Sequence, residues 1–326
     1  MKLCATPKTY QAHVNEYLRH YRALGYRYRG SDCILSRLGR FLGEIGAADI
    51  NADSYEAWCR SIAKNHPNSR RKAQQFVRRF CIFRARTEPG FFVPSVYSQT
   101  KLQPYVRPVI VEPDQVVRML AVADTLPDRN SPPLRAAANR IAVVLLYTTG
   151  LRLGELLRLA VPDIEDSGRV LRIRDSKFHR SRLLPLSRSA QHELRAYLQA
   201  RAAAFPTQQS RGSLLCHGKG GKMHGYSPCG FSALMKALFR LADVHDCEGR
   251  RPRIHDMRHS FAIQSVIRLY RAEGDVQSAL PKIALYMGHV SIESTLHYVR
   301  LVPQLAALAS RRFERHFGHW VQGGVS

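Results

Sequence analysis

The sequence predicts a mainly α protein in two parts: an all-helical first hundred residues, then a larger α+β unit with one small β-ribbon. Three observations carry that expectation. Apolar residues recur at helical spacing through most of the chain. A proline-punctuated extended stretch, 89–113, interrupts the pattern. One segment, "RVLRIRDSKFHRSRLLPLS" (169–187), reads as two strand-like runs around a basic turn. A chain of 326 residues has room for two ordinary domains, and the predicted division is a helical unit 1–98, a linker 99–107 and a second unit 108–326.

Each element follows from local chemistry. "PKTYQAHVNEYLRHYRALG" stops at Gly25, "SDCILSRLGRFLGEIG" starts with Ser31 or Asp32 as N-cap, and "ADSYEAWCRSIAKNH" gives a third helix. In "NSRRKAQQFVRRFCIFRARTE", Ala73, Phe76, Phe80 and Phe83 form one stripe while Arg71, Arg78, Arg79 and Arg86 project elsewhere, so a core face and a phosphate-binding face are expected. Past the linker, "EPDQVVRMLAVADTL" and "PPLRAAANRIAVVLLYTTG" are helices, the second apolar nearly all round and therefore buried. From Ser187 onward the chain is again mostly helical, with a glycine-rich loop at "HGKGGKMHG". That loop lacks GxxxxGK[ST], which argues against nucleotide binding.

Charge narrows the function. Fifty Lys and Arg against 25 Asp and Glu leave +25 at pH 7. Residues 1–98 hold 17 of the basic and 7 of the acidic side chains, so both parts are cationic and both are expected on one polyanion. Arginine heavily outnumbers lysine, and guanidinium forks suit phosphate oxygens. No apolar run reaches the length of a membrane span, and the start has no signal-peptide core, so a cytoplasmic, nucleoid-associated protein is expected. Seven scattered cysteines without a CxxC pair read as reduced thiols. Cys216, His217, His224 and Cys229 cluster, but at no standard zinc spacing; no metal and no cofactor is expected.

Four separated stretches in the second part belong together. "TTGLRLGELLRL" supplies Arg152 and Glu155, and "DSKFHRSRLLPL" puts Lys177 in the ribbon turn beside Arg180 and Arg182. "HDMRHSFA" sets His255 and Arg258 one helical turn apart. "LYMGHVSIESTLHYVR" supplies His289 and, nine residues on, Tyr298.

In this order, Arg, Lys, His-x-x-Arg, Gly-His and Tyr, the chain resembles the tyrosine recombinase family of phage integrases, Xer-type resolvases and transposon-encoded recombinases. The thirty positions between Arg258 and His289 bring it nearer to the transposon-borne members. The resemblance implies an N-terminal core-binding (SAM-like) domain and a C-terminal tyrosine recombinase catalytic domain ending in an exchange helix, with Leu305, Leu308 and Phe313 on its apolar side. It implies a site-specific DNA recombinase acting through a 3′-phosphotyrosyl intermediate. Its partners would be double-stranded DNA carrying recombination sites and a homo- or hetero-tetramer of protomers.

The chemistry gives each residue type a reason. Two guanidiniums, Arg152 and Arg258, neutralise the charge of a pentavalent phosphorus transition state. The Tyr298 phenol is the nucleophile, and its phosphodiester conserves the energy of the broken bond. Lys177 protonates the leaving 5′-oxygen. The resemblance further implies that His255 and His289 assist proton movement and that Glu155 supports the site through hydrogen bonds. His259 is expected to be structural; Arg180 and Arg182 are expected to contact phosphates. Two rival readings remain: a type IB topoisomerase-like relaxing enzyme, which would act as a monomer on arbitrary DNA, and a DNA-binding accessory protein with a vestigial catalytic set.

Overall fold

The computed structural model describes residues 9–26, 29–104, 106–125, 134–174, 181–206, 212–219, 222–272, 274–288, 307 and 310–315. The described residues are mostly helical with two small sheets, and the chain divides into two compact units, 1–106 and 107–326.

Among the described residues, the first unit has four helices: α1 (Tyr10–Ala23), α2 (Arg29–Glu44), α3 (Ala52–Ser61) and α4 (Pro67–Ala85). Local caps fix their starts. The Thr9 hydroxyl accepts from the Ala12 N–H, and Asn51 and Ser54 exchange reciprocal bonds at the start of α3. Pro67 opens α4, where a missing N–H costs nothing. The second helix begins at Arg29, earlier than the expected Ser31 or Asp32 cap; Asp32 lies in its first turn and pairs with Arg22. The core joins Val14, Tyr17, Leu35, Leu38, Trp58, Phe76, Val77 and Phe80. Tyr17 meets the edges of Phe76, Phe80 and Phe83 at 5.8, 5.4 and 5.2 Å.

The polar side of α4 departs from expectation. Arg71 and Arg78 are half-buried and donate to the carbonyls of Thr100 and Pro94, pinning the extended segment onto the helices. Phe91, Phe92 and Val93 of that segment pack on the same core. Arg79 and Arg86 are exposed. Arg84, in the same arginine run, is only 3% exposed: it reaches Asp49 at 2.7 Å, forks onto Glu88 at 2.7 and 3.2 Å, and lies 3.8 Å over the Phe91 ring. Arg84→Met is therefore expected to destabilise this unit by about 3 kcal/mol, the low end for a broken buried pair because both carboxylates keep water contact. Urea unfolding of the full chain would show it as a lowered midpoint of one transition; an unchanged midpoint would remove Arg84 from the unit's stability.

The second unit is built around α6 (Leu134–Thr149), whose Ile141, Ala142, Val143, Leu145 and Leu146 are all buried. It packs against α5 (Pro113–Thr125), α8 (Arg188–Ala204) and α10 (Ile254–Arg271). After the short α7 (Leu153–Arg158), β1 (Ile164–Glu165), β2 (Val170–Ile173) and β3 (Arg182–Pro185) form an antiparallel sheet in that order, with Leu171 opposite Leu184 and Ile173 opposite Arg182. The glycine-rich stretch expected as a loop is a second pair, β4 (Cys216–Lys219) with β5 (Lys222–Gly225). Backbone pairing decides it: Cys216, His217, Gly218 and Lys219 lie opposite Gly225, His224, Met223 and Lys222 in an antiparallel register. His217 and His224 stack across this pair at 5.9 Å, while Cys216 is buried beside the Tyr197 hydroxyl and Cys229 is exposed. The helices α9 (Pro228–Leu241), α10 and α11 (Val276–Met287) complete the unit. A separate apolar cluster of Phe261, Ile263, Val266, Leu280 and Met287 joins α10 to α11, with Phe261 stacked on Tyr286 at 5.5 Å. Among the described residues, no helix is long and apolar enough to cross a membrane.

Candidate active site

Three helix ends meet at one place. The buried α6 stops at Gly150 (φ +62°), α11 stops at Gly288 (φ +69°), and α10 begins at Ile254. Both glycines sit in the left-handed region that other L-residues avoid. Neither has space for a side chain: a Cβ on Gly150 would lie 2.7 Å from the Phe261 ring, and one on Gly288 would lie 2.9 Å from Arg182 Nη1.

Arg152 stands just past Gly150, at the N-cap position of α7. Its backbone N–H donates to Glu155 Oε2 at 3.0 Å and its Nη1 to Glu155 Oε1 at 2.9 Å, so one carboxylate fixes both the helix start and the guanidinium. Arg258 projects from the first turns of α10 and is 1% exposed. Its Nη1 donates to the Gly150 carbonyl at 2.5 Å and its Nη2 to the Met287 carbonyl at 2.7 Å. His255, one turn earlier, faces solvent, and its rings and those of His259 meet edge to face at 4.7 Å.

Arg182 belongs to this cluster too. Expected as a phosphate contact on the ribbon, it is 11% exposed and turned inward: Nη1 and Nη2 reach Glu155 Oε1 and Oε2 at 3.1 and 3.0 Å, and Nε reaches the Tyr286 carbonyl at 3.0 Å. Three successive carbonyls at the end of α11 therefore each receive one arginine: Tyr286 from Arg182, Met287 from Arg258, and Gly288 from Arg152 at 3.2 Å. The negative end of a helix favours such cations.

The electrostatics follow from burial and this pairing. Burial alone would raise the Glu155 pKa, but the Arg182 fork, the Arg152 N–H and both guanidinium charges pull it down to about 2. His255 is exposed at its edge, yet the protein packed around its ring displaces enough water to shift it below the ordinary histidine value, with the Arg258 and Arg152 charges adding to this and Asp256 opposing it. His259, buried, is pushed down to about 4 by desolvation and by its neighbour His255. Both imidazoles are thus neutral at pH 7. Among the described residues, Arg152, Arg182 and Arg258 around Glu155 leave a cationic cluster suited to an oxyanion, with the Arg253–Asp256 pair beside it close to neutral.

Arg152, Arg258, His255 and Glu155, far apart in sequence, are brought together here. Lys177, Arg180, His289 and Tyr298 lie outside the described residues, as do Leu305 and Leu308 of the tail; His289 directly follows Gly288 in the chain. Of that tail, Arg312 Nη1 donates to the Gly274 carbonyl at 2.9 Å and Phe313 is 56% exposed. Sequence reasoning missed one acid that does for α10 what the expected Glu155 does for α7: Asp256, 1% exposed, accepts from the Arg253 N–H at 2.9 Å and sets the helix start. An acid three residues after a helix-opening residue was the available signal in both.

Comparison with known proteins gives a consistent picture. Residues 110–304 match the model of the phage integrase family. The chain is 31% identical over 315 residues to a Sinorhizobium fredii protein named as an integrase/recombinase, y4rB, covering 95% of this chain and 98% of that one. It is 28% identical over 209 residues to the tyrosine recombinase XerC of Mycobacterium tuberculosis, 64% of each chain. Among solved structures, it resembles the Tn1549 transposon integrase in complex with transposon right end DNA (TM-score 0.62, 17% identity, 94% of this chain and 99% of that one). It also resembles a lambda integrase tetramer bound to a Holliday junction (TM-score 0.60, 16% identity, 90% and 78%). At these identities the two structures speak to the fold, a mainly helical architecture with small sheets.

Proposed function

The chain belongs to the phage integrase family, and on that premise we propose that it is a site-specific DNA recombinase that cleaves and rejoins strands through a 3′-phosphotyrosyl intermediate. The observation that carries the reading is the convergence of Arg152 and Arg258 at the meeting of α6, α10 and α11, each held by fixed acceptors. A preorganised guanidinium pair stabilises the charge of phosphoryl transfer without reorganising during the reaction.

In the proposed step the Tyr298 oxygen attacks phosphorus, forming the phosphotyrosyl ester while the bond to the 5′-oxygen breaks. Lys177 delivers the proton that the departing oxygen needs, and the phenolic proton leaves through the neutral imidazole of His255, or through His289. Arg152 and Arg258 donate to the non-bridging oxygens throughout. One ester bond replaces another, so reversal with a new 5′-hydroxyl rejoins the strand without ATP.

The substrate in this reading is double-stranded DNA bearing recombination sites, bound by both cationic units, and the working assembly is a tetramer of like or related protomers. The named relatives, an integrase/recombinase and a transposon integrase, favour service to a mobile element. Such an enzyme works at the nucleoid. We propose 1–98 as the core-binding domain, 99–107 as the linker and 108–326 as the catalytic domain, with Arg79, Arg86 and Arg180 as phosphate contacts.

The test is direct. A randomised pool of nicked duplexes, from which the short 5′-end fragment diffuses away after cleavage, should yield molecules trapped on the protein in a denaturing gel. After digestion, mass spectrometry should find the nucleotide on the peptide containing Tyr298. Relaxation of arbitrary supercoiled plasmid by a monomer, with no sequence enriched in the trapped pool, would instead support a topoisomerase-like enzyme; binding with no trapped DNA would support an accessory protein.

A further inference from the structure

We propose that Arg182 is a positioning residue whose task is to saturate Glu155, so that Glu155 can orient Arg152 without capturing it. The proposal rests on the strand-cleavage reading above. A carboxylate offers about four lone-pair positions, and all four of Glu155 are used. Oε1 accepts from Arg152 Nη1 and Arg182 Nη1; Oε2 accepts from the Arg152 backbone N–H and Arg182 Nη2.

The division of these contacts matters. Arginine and carboxylate prefer a two-bond fork when both are accessible. Here Arg182 takes the fork, and Arg152 is left with a single guanidinium contact to Glu155 and a second one to the Gly288 carbonyl. Arg152 is thereby aimed but not consumed, and remains 26% exposed against 11% for Arg182. Without Arg182, one acceptor position opens on each oxygen of a buried anion whose Oε1 already lies 2.9 Å from Arg152 Nη1, and the Arg152 fork closes on them. The guanidinium then turns from the phosphate toward its own support. Gly288 is part of the device, since any side chain there would occupy the place of the Arg182 guanidinium.

Arg182 also sets the charge state of Glu155. The carboxyl is held at about 2, below its ordinary value, so its share of the site's order is present above the unfolded carboxyl value and lost only as pH falls toward 2. Loss of the fork, the largest of the lowering influences, raises that value and moves the acid limb of the pH profile into a measurable range.

The experiment uses the full chain and a nicked duplex trapped from the randomised pool by the wild-type protein, with single-turnover adduct formation, duplex affinity and thermal unfolding measured in parallel. Arg182→Gln is expected to slow adduct formation about 30- to 100-fold with affinity within threefold of wild type, and to shift the acid limb upward. The deciding variant is Arg182→Gln combined with Glu155→Gln: with the carboxylate neutral, Arg152 is no longer captured, and the double variant should cleave faster than Arg182→Gln alone. A double variant as slow as or slower than the single, at equal folded fraction, overturns the proposal, as does an undiminished rate in Arg182→Gln. A pool that yields no trapped duplex with wild type overturns the cleavage reading itself, and the positioning role with it; the two failures are thus separated by which protein fails.

Discussion

Tyr298→Phe is expected to leave duplex binding unchanged and to reduce the covalent protein–DNA adduct to background, a loss on the order of 10⁶ by comparison with nucleophile removal in other covalent catalysts. The substitution removes one oxygen atom and nothing else, so the cationic surfaces that hold phosphate keep their charge, and the dependence of affinity on salt should have the same slope as in wild type. No second group can take over invisibly. Water attacking the same phosphorus would break the strand but leave no protein attached, and the denaturing gel distinguishes the two products. An adduct surviving in the phenylalanine variant would move the nucleophile elsewhere in the chain and dissolve the proposed role of Tyr298. A loss of binding matching the loss of adduct would also count against it, because it would place Tyr298 in recognition instead of bond exchange.

Arg258→Lys should be the second most damaging change, slowing adduct formation by about 10³-fold, the usual effect of removing one donor from a preorganised anion site. The expectation comes from geometry as much as from charge. The Arg258 guanidinium is buried and joins the Gly150 carbonyl, at the end of α6, to the Met287 carbonyl, at the end of α11. A lysine keeps the charge but is a compact ammonium that cannot span both acceptors while offering a fixed N–H edge to phosphate. One buried carbonyl would then lose its partner, at a cost of about 1–3 kcal/mol. Adduct kinetics and thermal unfolding should therefore both fall for Arg258→Lys, and Arg258→Ala should fall further on both. Wild-type kinetics in the lysine variant would mean that positive charge alone suffices and that the paired carbonyls have no part in preorganisation.

Much of this architecture could be read before any coordinates. The helix α6 was legible because "IAVVLLY" is apolar on every side, and a helix with no polar face has only the interior to occupy. The ribbon was legible because "VLRI" and "RLLP" are short runs rich in aliphatic residues on either side of a basic stretch. Arg152, Arg258 and His255 were legible as a set, through their order and intervals. Arginine identity, by contrast, reports a charge and not its partner. Arg71, Arg78 and Arg84 lie in one run with Arg79 and Arg86, yet two pin backbone carbonyls, one is buried between carboxylates, and two are exposed. Arg182 looked like a ribbon arginine because its acceptors, Glu155 and Tyr286, are 27 and 104 residues away. The pairing of β4 with β5 was missed because lysine and glycine are poor strand formers, and pairing overrode propensity.

The fan of carbonyls closing α11 makes residue count a constrained quantity. Each residue in an α-helix advances the backbone by about 100°, so deleting or inserting one amino acid between Asp275 and Gly288 would swing all three oxygens away from their guanidinium partners at once. Such an indel would disarm every positive arm of the centre together, although it touched none of them. That span of polypeptide should therefore admit changes of side chain far more readily than changes of length.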